Sequence, residues 1–329
     1  MVVNTKQRGT VLLTDYAWPD AEVERGIIES AGYRFITGPS APAPETDIDE
    51  LVSEHKPDAI MTCWARVSTR AIVSTPNLKV VARVGVGLDN IAVDAATQAG
   101  VLVTNVPDYC VEDVSDHAVG MVLAWSRGLV QFDAEVKSGR WNPAAARLRR
   151  MSTLTCGIVG YGRIGRRTAE KLRAFGVRLA ALKHSGISRD EPVEQMELEA
   201  LMRQSDVVII HVPLTEQTRH LIDARSIGWM KKGALLVNVS RGGVVDTAAL
   251  IEALAGGHPS AAGLDVLEEE PDVPDALKAH VASILTPHVA FSSESSLQEL
   301  RVRSSEEVVR ALRGEPVHYP CNRPVLAAS

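Results

Sequence analysis

The 329-residue sequence has only four cysteines, no apolar run as long as a membrane span and no excess of basic residues. Cys63, Cys110, Cys156 and Cys321 lie far apart without a C-x-x-C pair, which favours a reduced cytoplasmic protein and predicts no metal site. The formal net charge of −6, without a basic stripe or tail, argues against nucleic acid as a partner. The polar start from Met1 to Gly9 predicts no signal peptide, and we expect no membrane partner.

Short apolar segments alternate with helical patterns along most of the chain. This alternation predicts parallel sheets with helices on both faces, and the length suggests two domains. The first unit ends near Thr104, and a helix over residues 296–312 is expected to return to it. Residues 111–136 are predicted as one long helix, apolar enough to cross between domains or to form a subunit contact.

The segment CGIVGYGRIG, residues 156–165, predicts a strand, a glycine turn and a helix. Gly160, Gly162 and Gly165 have G-x-G-x-x-G spacing: the first allows a tight turn, the second close approach to a pyrophosphate, and the third close helix packing. The predicted buried face of the helix consists of Ile164, Thr168, Leu172 and Phe175. Glycine turns are common, but a second predicted strand follows this one, and the order favours a dinucleotide at the helix N-terminus.

Four further strands are predicted, over residues 207–210, 235–239, 261–266 and 284–285. Each is followed by polar or charged residues, which include His211, Ser240 with Arg241, Glu268 to Glu270, and His288. In open α/β sheets the ligand lies outside the carboxyl ends of the strands. One crevice could therefore collect these side chains.

Arg241, Glu270 and His288 together suit hydride transfer to a carbonyl group. An arginine binds a carboxylate through two parallel hydrogen bonds, and a histidine exchanges protons near neutral pH. A glutamate bonded to the second ring nitrogen would favour the imidazolium and fix its orientation. Each residue alone also has an ordinary explanation, as a loop arginine, part of a solvated glutamate run or a turn-capping histidine.

The chain resembles the D-isomer-specific 2-hydroxyacid dehydrogenase family over nearly its whole length. The resemblance rests on LVNVSRGGVVD at 236–246, GLDV at 263–266 continuing to Glu270, and TPH at 286–288. RVGVGLDNI at 83–91 and NVP at 105–107 extend it. Residues 110–117 and 286–293 are similar to the branch of C-terminal-binding proteins and phosphoglycerate dehydrogenases.

The resemblance implies two doubly wound parallel-sheet domains with a cleft between them, usually in a homodimer. A flavodoxin-like substrate domain would comprise residues 1–104 and 296–329, and a Rossmann NAD(P)-binding domain residues 105–295. The implied reaction is the reversible transfer of a hydride between NAD(P)H and a 2-keto acid, which gives a D-2-hydroxy acid. A binding protein that senses NAD(H), like the corepressors of this branch, is the alternative. Formate dehydrogenase is a rival enzyme, but it would carry an amide at Glu270.

The family's site roles follow residue by residue. Arg241 would bind the substrate carboxylate and polarise the keto oxygen, while His288 with Glu270 would act as acid and base. The amides of Val86 and Gly87 would bind the carboxylate's other oxygen, although a plain tight turn also explains this loop. The expected cofactor contacts are Gly160, Gly162, Arg163, Ile164, Gly165, Lys183, His184, Ser185, His211, Pro213, Thr218, Val239, Ser240 and Asp265, the last beside the nicotinamide carboxamide.

The strand after the glycine helix departs from the pattern of NAD-specific members. An acidic residue would there bind the ribose hydroxyls, but this chain has Lys183, His184 and Ser185, with Arg189 a little beyond. A cation and a hydroxyl could accept a ribose phosphate, which slightly favours NADP over NAD. The alternative is that Lys183 is only a solvated strand end.

The sequence does not identify the substrate. By resemblance, residues 63–67 and the pair Phe291 and Ser292 are expected to line the pocket. Arg66 could bind a second acidic group on the substrate, such as a phosphate or phosphonate, or it could be an exposed loop residue.

Overall fold

The computed structural model describes residues 8–188 and 190–324, which form two compact units. The first comprises the described residues of Met1–Tyr109 and Ser293–Ser329, and the second is Cys110–Ser292. The segment 1–7, on which the expectation about a signal peptide falls, lies outside the described residues, as does Arg189.

The first unit is built on a parallel sheet in the order β2-β1-β3-β4-β5. Its strands are β1 Thr10–Leu13, β2 Arg34–Thr37, β3 Ala59–Thr62, β4 Val80–Arg83 and β5 Leu102–Thr104. The strands are short apolar runs because helices cover both faces of a parallel sheet. This is the flavodoxin-like order, in which the chain reverses direction across the sheet between β1 and β3.

In the described part of the first unit, five helices accompany the sheet. They are α1 Glu22–Ser30, α2 Glu45–His55, α3 Thr69–Val73, α4 Val93–Gln98 and α12 Glu294–Arg313. The last helix packs on α1 and behind β4. Arg301 on α12 forms an ion pair of 2.8 Å with the buried carboxylate of Glu24 on α1, which attaches the C-terminal helix to this unit.

The second unit contains a parallel sheet in the order β12-β11-β10-β9-β6-β7-β8. Its strands are β6 Thr155–Val159, β7 Arg178–Leu182, β8 Glu194–Gln195, β9 Val207–Ile210, β10 Leu235–Asn238, β11 Ala261–Leu264 and β12 Ser283–Leu285. From β6 the chain runs outward to β8 and then returns to β9 on the other side of β6. That is the Rossmann order, with its switch point between β6 and β9.

Seven helices belong to the second unit in the described part of the chain. They are α5 Val111–Arg127, α6 Leu129–Lys137, α7 Arg163–Arg173, α8 Leu198–Gln204, α9 Ala224–Gly228, α10 Thr247–Ala255 and α11 Asp275–Ala279. Short 3₁₀ turns occur at Pro143–Ala145, Met151–Thr153 and Gly242–Val244.

Two local predictions are wrong. The single helix over residues 111–136 is two helices, because Gly128 adopts a left-handed conformation with φ +62° that ends α5. Phe175 is not part of the buried face of α7, since the helix ends at Arg173 and the phenylalanine is 41% exposed. Thr168 and Leu172 are fully buried as predicted. The prediction of two doubly wound parallel-sheet domains is confirmed.

Candidate active site

The glycine turn joins β6 to α7 at the switch point of the second sheet. Gly160 has φ +103°, a conformation that favours glycine. A Cβ on Gly165 would lie 2.2 Å from the carbonyl oxygen of Gly160, so the start of α7 approaches the turn as only glycine permits. A Cβ on Gly162 would meet no atom of the described residues within 4 Å, so these residues leave space beside the backbone.

The first turn of α7 presents its N–H groups without a side-chain cap. Gly162 is the N-cap residue, and in the described structure no side chain bonds to the helix start at Arg163 and Ile164. Free N–H groups and the helix dipole make such a terminus a site for an anion. The turn therefore fits the pyrophosphate of a dinucleotide.

The end of β7 carries a cation and a hydroxyl and no carboxylate. Lys183 is half-buried, while His184 and Ser185 are exposed. The N–H of Gly186 donates to the carbonyl of Lys183 at 3.0 Å, so the three residues form a tight turn directly after the strand. Arg189, which the sequence placed near this group, lies outside the described residues.

His211 follows β9 and is neutral. Burial lowers its pKa to about 3. Its Nε2 is 3.0 Å from Oγ1 of Thr168, whose own proton goes to the carbonyl of Ile164, so the imidazole is the donor. The ring thereby connects the end of β9 to α7.

Pro213 and Thr218 lie in one exposed turn. The hydroxyl of Thr218 donates to the carbonyl of Pro213 at 2.6 Å and accepts the N–H of Thr215 at 2.8 Å. The hydroxyl of Thr218 therefore already donates and accepts a hydrogen bond within the turn. To donate to a phosphate, this hydroxyl would have to give up or share its bond to Pro213.

Arg241 lies in the loop after β10, where Val239 is buried and Ser240 half-buried. The buried amide of Asn238 organises this loop, since its Nδ2 donates to the carbonyl of Arg241 at 2.9 Å and its Oδ1 accepts the N–H of Ser240. A Cβ on Gly242 would lie 1.9 Å from the backbone of Leu267. Glycine there allows the loop to pack against the segment that leads to Glu270.

Glu270 and His288 form a direct pair, with Oε2 2.7 Å from Nδ1. Burial alone would raise the pKa of Glu270, but the hydrogen bond and charge of His288, the N–H of Leu267 and the charge of Arg241 outweigh it and hold this pKa below its usual range. An ionised Glu270 accepts a hydrogen bond from Nδ1–H, so the second ring nitrogen of His288 is available for proton exchange. The structure thus pairs two of the three predicted residues, Glu270 and His288, and Arg241 lies close enough for its charge to act on Glu270.

His288 and Phe291 lie on the segment that follows β12. Their rings are in edge-to-face contact at 6.1 Å between centroids. His288 is one of three non-glycine residues with positive φ in the described chain, at +52°. Such a conformation costs about 1–2 kcal/mol and persists only where neighbouring contacts enforce it.

Asp265 provides those contacts. Its carboxylate is buried and accepts the N–H groups of Val289 and Ala290, each at 2.9 Å, and the hydroxyl of Thr286 at 2.6 Å. Its main-chain carbonyl accepts the N–H of His288 at 2.8 Å. The structure thus uses Asp265 to hold the histidine segment, whereas the sequence suggested only a contact to the nicotinamide.

In the first unit, the loop after β4 contains Val86 and Gly87, both half-buried. The side chain of Asn105 donates to the carbonyl of Val86 at 2.7 Å, which fixes this loop. Arg66 lies on another loop and is exposed, with Nε 3.0 Å from a carboxylate oxygen of Glu45. An acidic group on a ligand would compete with that ion pair.

Sequence reasoning missed Asp15, which is fully buried at the end of β1. Its carboxylate accepts the N–H groups of Cys63, Trp64 and Ala65 at 3.0, 2.7 and 3.1 Å. The side chain of Asn90 donates to the carbonyl of Ala65 at 3.0 Å. The loop after β3 is therefore fixed at the switch point of the first sheet. An aspartate two residues after the end of a buried apolar strand was the available signal.

Two kinds of site are absent from the described residues. Within 8–188 and 190–324, no three acidic, histidine or cysteine side chains are grouped as metal ligands. In the same residues, no helix is both long and apolar enough to cross a membrane.

The comparisons with known proteins agree with this geometry. The family model for the NAD binding domain of D-isomer specific 2-hydroxyacid dehydrogenases matches residues 119–290. The hydroxypyruvate reductase of Thermotoga maritima is 36% identical over 75% of this chain and 82% of its own length. The D-3-phosphoglycerate dehydrogenase of Bacillus subtilis is 34% identical over 87% of this chain, which spans only 57% of that enzyme's length.

A solved structure shows the same fold. The NADPH-dependent glyoxylate/hydroxypyruvate reductase of Sinorhizobium meliloti, determined with NADP and malonate, has a TM-score of 0.84 and 28% identity over 98% of this chain and 99% of its own. The chain belongs to the D-isomer specific 2-hydroxyacid dehydrogenase family, and the family predicted from its motifs is confirmed. The second unit contains the NAD-binding Rossmann domain.

Proposed function

We propose that this protein reduces a 2-keto acid to a D-2-hydroxy acid with NAD(P)H, and that the reaction is reversible. The observation that carries the proposal is the 2.7 Å pair of His288 and Glu270, in the same domain as an open glycine turn. Arg241 acts electrostatically on the same glutamate. A sensor of NAD(H) would not need this proton-transfer pair, so the pair favours an enzyme over the corepressor-like alternative.

Bound NAD(P)H would supply the hydride to the keto carbon. His288 then donates a proton to the keto oxygen as the hydroxyl forms, and solvent reprotonates the ring. Glu270 holds Nδ1 and stabilises the imidazolium before transfer. In the oxidative direction the neutral ring accepts the hydroxyl proton.

The substrate carboxylate requires hydrogen-bond donors. We assign the guanidinium of Arg241 to the carboxylate and the keto oxygen, because its paired N–H groups match that geometry and its charge polarises the carbonyl. We assign the amides of Val86 and Gly87 to the other carboxylate oxygen. Phe291, in contact with the ring of His288, is assigned to the substrate side chain.

For the cofactor we propose NADP in preference to NAD. The glycine turn and the first turn of α7 would bind the pyrophosphate. The phosphate on the adenosine ribose would be bound by Lys183, His184 and Ser185. The S. meliloti relative is named as NADPH-dependent and was solved with NADP, which supports this assignment. His211, Pro213, Thr218, Val239, Ser240 and Asp265 remain proposed cofactor contacts.

We also propose that Arg66 binds a second acidic group on the substrate. The guanidinium is exposed and paired with Glu45, so a phosphate or phosphonate would have to displace that carboxylate. Arg66→Ala should then raise KM for keto acids with a second acid and leave KM for simple ones unchanged. Equal KM values in wild type and variant for both classes would exclude this role.

We further propose a homodimer formed through α6 and the segment after it. None of the residues of α6, all of which are described, is buried, and Val130 on this helix is 49% exposed. Trp141, in the segment after the helix, is 82% exposed. Apolar surface of this kind marks an interface. Val130→Glu with Trp141→Glu should give a monomer in sedimentation velocity. Val281→Glu, at a valine elsewhere that is 87% exposed, should leave the dimer intact, and a monomeric wild type would exclude the proposal.

We propose the cytoplasm as the compartment, on the basis of the thiols. All four cysteines are free, and burial raises the pKa of Cys63 and Cys156 to about 12, so these two are unreactive. Fractionation of the native host with an antibody to the protein would test this assignment. Recovery in a membrane or secreted fraction would contradict it.

The reaction is tested by following consumption of reduced nicotinamide with a panel of 2-keto acids. The panel includes glyoxylate, hydroxypyruvate, phenylpyruvate and keto acids with a phosphate or phosphonate, each assayed with NADH and with NADPH. Turnover of one member well above the rest would support the proposal and identify the substrate class. Tight cofactor binding without turnover of any member would favour the sensor.

A further inference from the structure

His117 is a second histidine near the end of β12, and the proposed reaction assigns it no role. It lies on α5, and its Nε2 is 3.0 Å from Oγ1 of Thr286. The hydroxyl of Thr286 has one proton, which it donates to Oδ1 of Asp265 at 2.6 Å. The threonine oxygen must therefore accept from His117, which fixes the imidazole as an Nε2–H donor.

This arrangement forms a chain of hydrogen bonds from α5 to the histidine segment. His117 donates to Thr286, and Thr286 donates to Asp265. The Asp265 carboxylate accepts the two amides that follow His288, and its main-chain carbonyl accepts the amide of His288 itself. Nε2 of His117 is also 3.7 Å from Oδ1 of Asp265, so the imidazole faces the carboxylate directly.

The chain of hydrogen bonds ends at a residue with a strained backbone conformation. His288 has φ +52°, which a side chain with a Cβ adopts only under constraint. Thr286, immediately after β12, is where the constraint begins. A free Thr286 hydroxyl could rotate away from Asp265, and the carboxylate would then lose one of the bonds that set its orientation.

We infer that His117 is a positioning residue: through Thr286 and Asp265 it holds the backbone in which His288 faces the substrate. This inference rests on the proposed role of His288 as proton donor. His117 does not touch substrate in this scheme, and its effect is on the geometry of proton transfer. Misplacement of a catalytic group by a fraction of an ångström to one ångström lowers rates by about ten- to hundredfold.

The first test uses His117→Ala and His117→Gln. The alanine variant should lower kcat about tenfold or more, with KM and the dissociation constant of the reduced cofactor within about twofold of wild type. The glutamine variant should recover most of the loss, because its side-chain amide N–H can replace Nε2–H as donor. A merely structural residue would lower the melting temperature without this selective loss of kcat.

A matched control lies at the other end of the same strand. Nδ1 of His280 is 3.0 Å from Oγ of Ser283, a histidine–hydroxyl bond like that of His117. His280→Ala should leave kcat unchanged. A fall in kcat equal to that of His117→Ala would overturn the inference, because the loss of any histidine hydrogen bond near β12 would then lower kcat.

A double-mutant cycle tests whether His117 acts through the threonine. Thr286→Val should lower kcat at least as much as His117→Ala, and the double variant should lose little more than Thr286→Val alone. Fully additive losses would show that His117 does not act through Thr286, and would overturn the inference.

Hydrogen exchange gives a readout that does not depend on activity. The amide of Ala290, which donates to Asp265, should exchange faster in His117→Ala than in wild type, and His280→Ala should not change it. Unchanged protection of Ala290 would overturn the inference even where kcat falls. If the wild type reduces no keto acid, the proposed function fails, and the exchange of Ala290 still decides whether His117 holds this segment.

Discussion

The carboxylate of Asp15 accepts the backbone N–H of Trp64 at 2.7 Å, although the two residues are 49 positions apart. The neighbouring amides of Cys63 and Ala65 bind the same carboxylate. Three consecutive N–H groups form an anion-binding nest, and here a buried side chain of the protein fills it. The loop that follows β3 therefore offers a ligand its side chains and not these amides.

Asp15→Asn should destabilise the protein by about 2–4 kcal/mol, because an amide nitrogen would replace an acceptor that faces buried donors. If residues 63–67 line the substrate pocket, KM for the keto acid should rise about tenfold. Denaturant unfolding and initial rates measure the two effects.

Asp58→Asn is the control for this prediction. Asp58 accepts the N–H of Thr10 at 2.7 Å, at the start of β1, the strand that Asp15 follows. It should lower stability without changing KM. An unchanged KM in Asp15→Asn, with the loss of stability present, would show that the loop does not contact substrate.

His288→Gln should lower kcat by about a thousandfold, since general acid catalysis contributes about 10²–10⁴-fold. The dissociation constant of the reduced cofactor, measured by fluorescence titration, should stay within about twofold, because glutamine keeps a polar side chain beside Glu270. Turnover at the wild-type rate would exclude His288 as proton donor.

Lys183→Asp should shift the ratio of kcat/KM for NADPH over NADH towards NADH by about ten- to hundredfold, the value of one or two charge-assisted hydrogen bonds. Arg178→Asp, at the exposed start of the same strand, makes the same charge change and should leave the ratio unaltered. Equal ratios in wild type and Lys183→Asp would show that Lys183 is a solvated strand end.

The neutral state of His211 predicts a pH dependence of stability. Its pKa is about 3 in the folded protein and near 6.5 in the unfolded chain, so the unfolded chain binds about one more proton between these values. The free energy of unfolding should therefore fall as pH is lowered from about 6.5. Glu270, whose pKa is depressed, adds a loss only as pH falls below about 4.5.

Urea unfolding between pH 5 and 7 isolates the histidine. His211→Gln should show a shallower loss of stability with acidification than the wild type over this range. Parallel pH dependences in the two proteins would mean that folding does not lower the pKa of His211.

The sequence predicted both sheets because their strands are buried on two faces and appear as short apolar runs. It did not predict β8, whose two residues, Glu194 and Gln195, are exposed and carry no apolar signal. The break at Gly128 was missed since the apolar pattern continues on both sides of the glycine. The left-handed conformation of this one residue divides the segment into two helices.

The pairing of Glu270 with His288 could be predicted from the sequence because both residues lie just beyond the ends of strands. Arg241, Glu270 and His288 each follow a strand of one sheet, so their grouping follows from the topology. Asp15 and His117 were missed because their partners are 48–50 and 169 residues away in sequence. A single chain sequence does not encode which distant loop or hydroxyl a lone polar residue will meet.

Product analysis tests the central proposal most directly. The purified protein is incubated with the most active keto acid and reduced nicotinamide, and the product is resolved by chiral chromatography. We expect the D-2-hydroxy acid alone, formed in equal amount to the reduced nicotinamide consumed. The L-enantiomer, a racemate, or consumption of cofactor without hydroxy acid would contradict the proposed reaction.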